Sequence, residues 1–156
     1  MEHLDSRSDM GKLSRIFESL AGYAVLRVVA GGAAGSIIGI YFARKAEGAI
    51  EGKHECYMAV ECSWRLDGQG GPITSSCDEN SESGPMLHGL LSLRGNVVSN
   101  VLVKEPGYDL LISFSEGYQL SIFCDVVREG CCWYLLGPEN VNVSVEPAGK
   151  LRISEH

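Results

Sequence analysis

Ahead of Gly22 and Gly95 the apolar residues recur at helical spacing, and after each of these glycines they cluster into strand-like runs. Counting back from Gly22 they fall at Leu20, Phe17, Ile16 and Leu13; the same offsets from Gly95 give Leu93, Leu90, Gly89 and Met86. That spacing lays one apolar stripe along a helix face, and glycine at its end is a stop signal. Asp9 is the expected cap of the first helix. Ser83, with Pro85 following, is the expected start of the second, which Gly89 should keep short.

Past each glycine the pattern predicts strands: Tyr23–Val29 and Ser36–Phe42 in one half, Asn96–Val103 and Asp109–Phe114 in the other. Turns at Gly31–Gly35 and Lys104–Gly107 join them. The closing aromatic lies 20 residues after Gly22 at Phe42 and 19 after Gly95 at Phe114. Further β-rich runs follow at Tyr57–Cys62 and Tyr118–Cys124, then Trp64–Leu66 and Trp133–Leu135. Ser115–Gly117 has the length of a tight hairpin turn, whereas Lys45–Glu55 is a longer polar loop in the corresponding place. Val141–Val145 alternates as a half-buried strand, and Leu151–Ile153 is a candidate last strand. The expected fold class is therefore α+β, mainly β. It comprises two pseudo-symmetric halves, each a short helix followed by an antiparallel meander, sharing one core. The divisions are a mobile end at 1–12, a first half at 13–66, a polar linker at 67–84 with a brief strand near Ile73, and a second half with a β extension at 85–156.

The run Tyr23–Ala43 is long enough to span a bilayer as a helix. Arg27 inside it is costly in hydrocarbon. Its glycines and β-branched residues favour strand over helix. A β-hairpin is the expectation, with no membrane association.

Apolar residues make up 45% of the 156, enough for a core. The net charge of -7 repels nucleic-acid phosphates and anionic lipid, and suits solubility or a basic protein partner. The opening residues lack the layout of a secretory signal, so a cytoplasmic location with free cysteines is expected. The six cysteines are Cys56, Cys62, Cys77, Cys124, Cys131 and Cys132. No Cys-x-x-Cys pair occurs, and strand alternation sends Cys131 and Cys132 to opposite faces. No metal is expected; a Cys62–Cys124 disulfide, or one from Cys56 to Cys131 or Cys132, stays open in an oxidising compartment. Gly31–Ser36 lacks the Gly-Lys-Ser/Thr ending of a phosphate loop, so no cofactor is expected.

Catalysis finds little support. His54 near Cys56 is the one local nucleophile–base pair, and His88 reads as a partly buried neutral residue. Trp64 and Trp133 each close a β-rich unit and read as plugs of the core. The alternative puts one of them at a cleft between the halves, with Arg65 as a charged edge. Asp78, Glu79 and Glu82 form an acidic surface in the linker, suited to steering a basic partner.

Residues Asp109–Cys124 followed by Cys132–Leu135 resemble a strand–turn–strand pattern of small uncharacterised bacterial proteins. Some of these are encoded beside polymorphic toxins and taken to be immunity proteins. The first half departs from that pattern by its glycine-rich turn and long loop. The resemblance implies a β-rich fold and toxin neutralisation by tight binding, with no catalytic residues to carry over. The functional expectation is a non-catalytic protein-binding module of this kind. The alternative is a small-ligand binder using the cleft between halves. A homodimer through the edge strand Val141–Val145 is a further expectation.

Overall fold

The computed structural model describes residues 2–44, 55–125, 128, 130–146 and 149–155, with side chains from residue 9 onward. The chain opens with helix α1 (Glu2–Leu20). Leu13, Phe17 and Leu20 of its stripe are buried, as the spacing predicts. The helix extends well ahead of that stripe, through residues expected to be a mobile end. Asp9 consequently lies inside the helix and not at its cap. The stripe marks only the packed part of a helix, whereas the polar first turns hold Glu, Leu, Arg and Lys, all good helix formers.

Tyr23–Ala43 forms a hairpin, β1 (Tyr23–Val29) and β2 (Ile38–Arg44), paired antiparallel. No helix among the described residues is long and apolar enough to cross a membrane. After it come β3 (Cys56–Val60), β4 (Ser63–Gly68) and β5 (Gly71–Ser75). The short helix α2 (Pro85–Leu90) starts from Gly84 without a side-chain cap, so Ser83 does not cap it. The meander β6 (Val98–Lys104), β7 (Asp109–Phe114) and β8 (Gln119–Phe123) follows, then β9 (Trp133–Leu136), β10 (Val141–Glu146) and β11 (Lys150–Glu155). The molecule is α+β, mainly β.

Two antiparallel sheets hold these strands. Sheet A has the order β1-β2-β3-β9-β10-β11, and sheet B the order β5-β4-β8-β7-β6. Each meander thus gives its next strand to the other sheet: β4 leaves β3 to pair with β8, and β9 leaves β8 to pair with β3. The first strands of the two meanders also touch. Gly22 N–H donates to Val98 O at 2.8 Å, and Gly95 N–H donates to Val25 O at 2.9 Å. Ala24 and Val97 form a bridge between those bonds. β1 and β6 each carry a bulge just beyond, between Val25 and Arg27 and between Val98 and Asn100. Gly22 and Gly95 end their helical segments with φ of 95° and 82°, a region that favours glycine.

One core lies between the sheets. Ile40, Phe42, Met58, Val60, Trp133 and Leu135 come from sheet A, and Trp64, Leu66, Leu110, Ile112, Leu120 and Ile122 from sheet B. Phe17 of α1 packs its ring 5.7 Å from that of Trp133.

The polar segment 67–84 carries the end of β4 and, where a brief strand was expected near Ile73, the whole of β5, an edge strand of sheet B. One expectation is corrected here. Val141–Val145 is not an open edge, because β10 is flanked by β9 and β11 on its two sides. Its polar outward residues mark one wet face, and a wet face looks the same in sequence whether the strand is central or at an edge.

Candidate functional site

Strand alternation sends Ile40, Phe42, Met58, Trp133 and Leu135 inward, and the residues between them outward. Three of those outward residues are tyrosines on adjacent strands of sheet A: Tyr41 on β2, Tyr57 on β3 and Tyr134 on β9. Their rings form a row, 4.7 Å between the centroids of Tyr41 and Tyr57 and 5.9 Å between Tyr57 and Tyr134. The Arg27 guanidinium from β1 lies over the Tyr41 ring, 4.2 Å from its centroid, close enough for a cation–π attraction. Leu136, 44% exposed, extends the face beyond Tyr134.

The row is fitted, not loosely hung. Gly39 lies beneath it: a Cβ there would come within 2.7 Å of the Tyr57 hydroxyl oxygen and 2.9 Å of its ring. Burial pushes the Tyr57 phenol up to about 12, helped by its neighbour Tyr134. A signal for the row existed in the sequence, since each tyrosine stands between two apolar inward residues. What was missing was the pairing of β3 with β9, which makes the three neighbours.

The sequence-derived site residues fall elsewhere. Trp64 and Trp133 are core plugs, at 1% and 0% exposure. Their indole N–H groups donate to Ser36 O at 2.8 Å and Tyr108 O at 3.0 Å. Arg65 and Asp78 border one shallow hollow of about 280 Å³ beside β5. Arg65 Nε sits 2.9 Å from Asp67 Oδ1. Asp78 accepts from the Thr74 hydroxyl at 2.8 Å and from Glu79 N–H at 2.8 Å. Glu79 and Glu82 are exposed on the same loop. That loop rests on the glycine turn: Gly32 N–H donates to Asn80 O at 2.7 Å. Larger hollows lie away from both tryptophans. One of about 590 Å³ on the outer face of sheet B is lined by Leu102, Leu111 and Phe123 among others.

His88 is exposed on α2, and not partly buried as expected. His54, half of the local pair with Cys56, lies outside the described residues. Three of the thiols are poor nucleophile candidates. Burial pushes Cys56 up to about 12. A bond with Cys62 and burial raise Cys124, and burial raises Cys131. Thiolates carry the reactivity, so each shift works against it.

None of the six cysteines, all among the described residues, is in a disulfide. Cys62, Cys124 and Cys132 place their sulfurs within 4.8 Å of one another, the one grouping among the described residues that could hold a metal. Compared with protein-family models, characterised proteins and solved structures, the chain has no match.

Proposed function

We propose that the protein is a non-catalytic protein-binding module on a duplicated framework, and that its contact surface is the outer face of sheet A. The row Tyr41–Tyr57–Tyr134 with Arg27 carries this reading. Tyrosine and arginine are the residue types enriched in binding hot spots. Tyrosine offers a broad rigid contact at low entropy cost. Burial raises the Tyr57 phenol to about 12 and so keeps it neutral, which suits contact and does not suit proton transfer.

The partner that fits is a protein presenting arginine or lysine. Such a side chain would stack on Tyr57 or Tyr134 as Arg27 stacks on Tyr41. A chain of net charge -7 attracts it from a distance. Neutralising a basic toxin, the role implied by the resemblance of Asp109–Cys124, is one form of this binding. The framework reading is supported by the matched bonds at Gly22 and Gly95, the matched bulges and the matched tryptophan N–H donors. Affinity capture from the native host tests the surface. A basic protein should be retained by the wild type and lost with Tyr41→Ser/Tyr57→Ser/Tyr134→Ser. With Asp78→Ala/Glu79→Ala/Glu82→Ala it should be retained but associate more slowly. Equal retention by the tyrosine variant would remove the face from the account.

The hollow on sheet B favours a second reading, a small apolar ligand. Leu102 and Phe123 bordering it are 56% and 40% exposed. An apolar fluorescent dye that binds the wild type and not Leu102→Asp would support it; equal binding to both would count against it.

A further inference from the structure

Cys62 lies in the connection from β3 to β4, where the chain passes from sheet A to sheet B. Cys124 directly follows β8, and Cys132 directly precedes β9, on the return from sheet B to sheet A. The two crossings meet at these residues. Glu61 N–H and Cys62 N–H both donate to Cys132 O, at 2.9 and 3.2 Å. Cys124 N–H donates to Asp109 Oδ1 at 2.6 Å, and its thiol donates to Tyr108 O at 3.3 Å. The three sulfurs are therefore set by backbone contacts and lie within 4.8 Å of one another. Cys62 and Cys132 are buried, at 5% and 2% exposure, while Cys124 is half-buried and leaves an entry side.

We propose that Cys62, Cys124 and Cys132 form a three-sulfur site for a soft trivalent metalloid ion, of which arsenite is the type. Sulfur ligands select soft ions, and charge selects among them. Arsenous acid condenses with three neutral thiols to give a neutral trithiolate and three waters. Each arsenic–oxygen bond breaks as an arsenic–sulfur bond forms, and each thiol proton leaves with a departing hydroxide as water. Arsenic stays trivalent, so no oxidant or reductant is needed. Zinc bound by three thiolates would release three protons and leave a buried net negative charge with a fourth position unfilled. Copper(I) would leave a larger negative charge. Among the described residues, neither charge has a compensating cation in the groups that act on Cys124, which are Cys62, Cys132 and Asp109. Uncompensated buried charge is strongly disfavoured.

The test uses the reduced full-length protein without oxygen, with sodium arsenite, zinc and copper(I) as separate probes. Intact mass spectrometry should show one arsenic per chain. Alkylation followed by peptide mapping of the wild type should show Cys62, Cys124 and Cys132 protected together. Cys124→Ala, chosen because its side is half open, should weaken arsenite binding by about 100-fold through loss of chelation, with near-ultraviolet dichroism confirming the fold. Cys77→Ala/Cys131→Ala should bind as the wild type does. Affinity should be equal at about pH 6 and about pH 8, because no net protons are exchanged, whereas a divalent ion would gain affinity as pH rises. The proposal is overturned by the absence of an adduct, by protection of a different set of cysteines, by a Cys62–Cys124 disulfide that persists under reductant, or by tighter binding of zinc or copper(I).

Discussion

Trp64 and Trp133 each spend the indole N–H on a carbonyl just ahead of a strand, Ser36 before β2 and Tyr108 before β7. Phenylalanine at either place would remove that bond from a part-buried carbonyl, leaving Tyr108 O only the weaker Cys124 thiol as a side-chain donor. Trp64→Phe and Trp133→Phe should each lower the unfolding free energy by about 1–3 kcal/mol, read from urea denaturation. Tyr57 carries the clearest pH consequence. Its folded ionisation is raised from 10.0 to about 12. The stability it contributes is then fully present below the unfolded value and is lost as pH rises through that window. Unfolding free energy should fall with pH there, and Tyr57→Phe should flatten the slope. An equal slope in that variant would contradict the burial of the phenol. At this scale the core tryptophans were legible, because each closes a β-rich run of the sequence. The tyrosine row was not, because its members are separated by long stretches of chain.

Among the elements, the helix stripes and the first hairpin follow from local spacing, as Leu13, Phe17, Leu20, Met86, Leu90 and Leu93 show by their burial. The glycine turn was legible as a turn, but its reason was not. A Cβ on Gly31, whose φ is 77°, would stand 3.1 Å from the carbonyl oxygens of both Asn80 and Ser81. The polar segment after β5 packs there, and nothing local announces it. Gly31→Ala should therefore destabilise the protein by more than the about 1 kcal/mol of a simple positive-φ penalty, with loss of the 78–82 loop's protection from hydrogen exchange. Protection unchanged in that loop would contradict the close approach. The polarity of Gly71–Ser75 allowed a brief strand near Ile73 to be expected, but hid its full extent and its place at the edge of sheet B for a related reason. An edge strand buries little, and here only Thr74 is buried.

The molecule as a whole rests on an exchange that periodicity cannot reveal. β3 pairs with β9 and β4 with β8, so each sheet contains strands from both halves of the chain. Such pairings join residues far apart in sequence, while spacing reports only neighbours. Both surfaces of interest exist because of that exchange. Tyr134 joins Tyr41 and Tyr57 across the β3–β9 pair, and Cys62 meets Cys124 and Cys132 where the two crossings touch. The most direct measurement divides the chain in the loop, into residues 1–80 and 81–156. Neither fragment should unfold cooperatively alone. An equimolar mixture should regain the near-ultraviolet dichroism of the intact protein, with its two tryptophans in ordered surroundings. Cooperative unfolding of either fragment by itself would contradict the interlocked architecture.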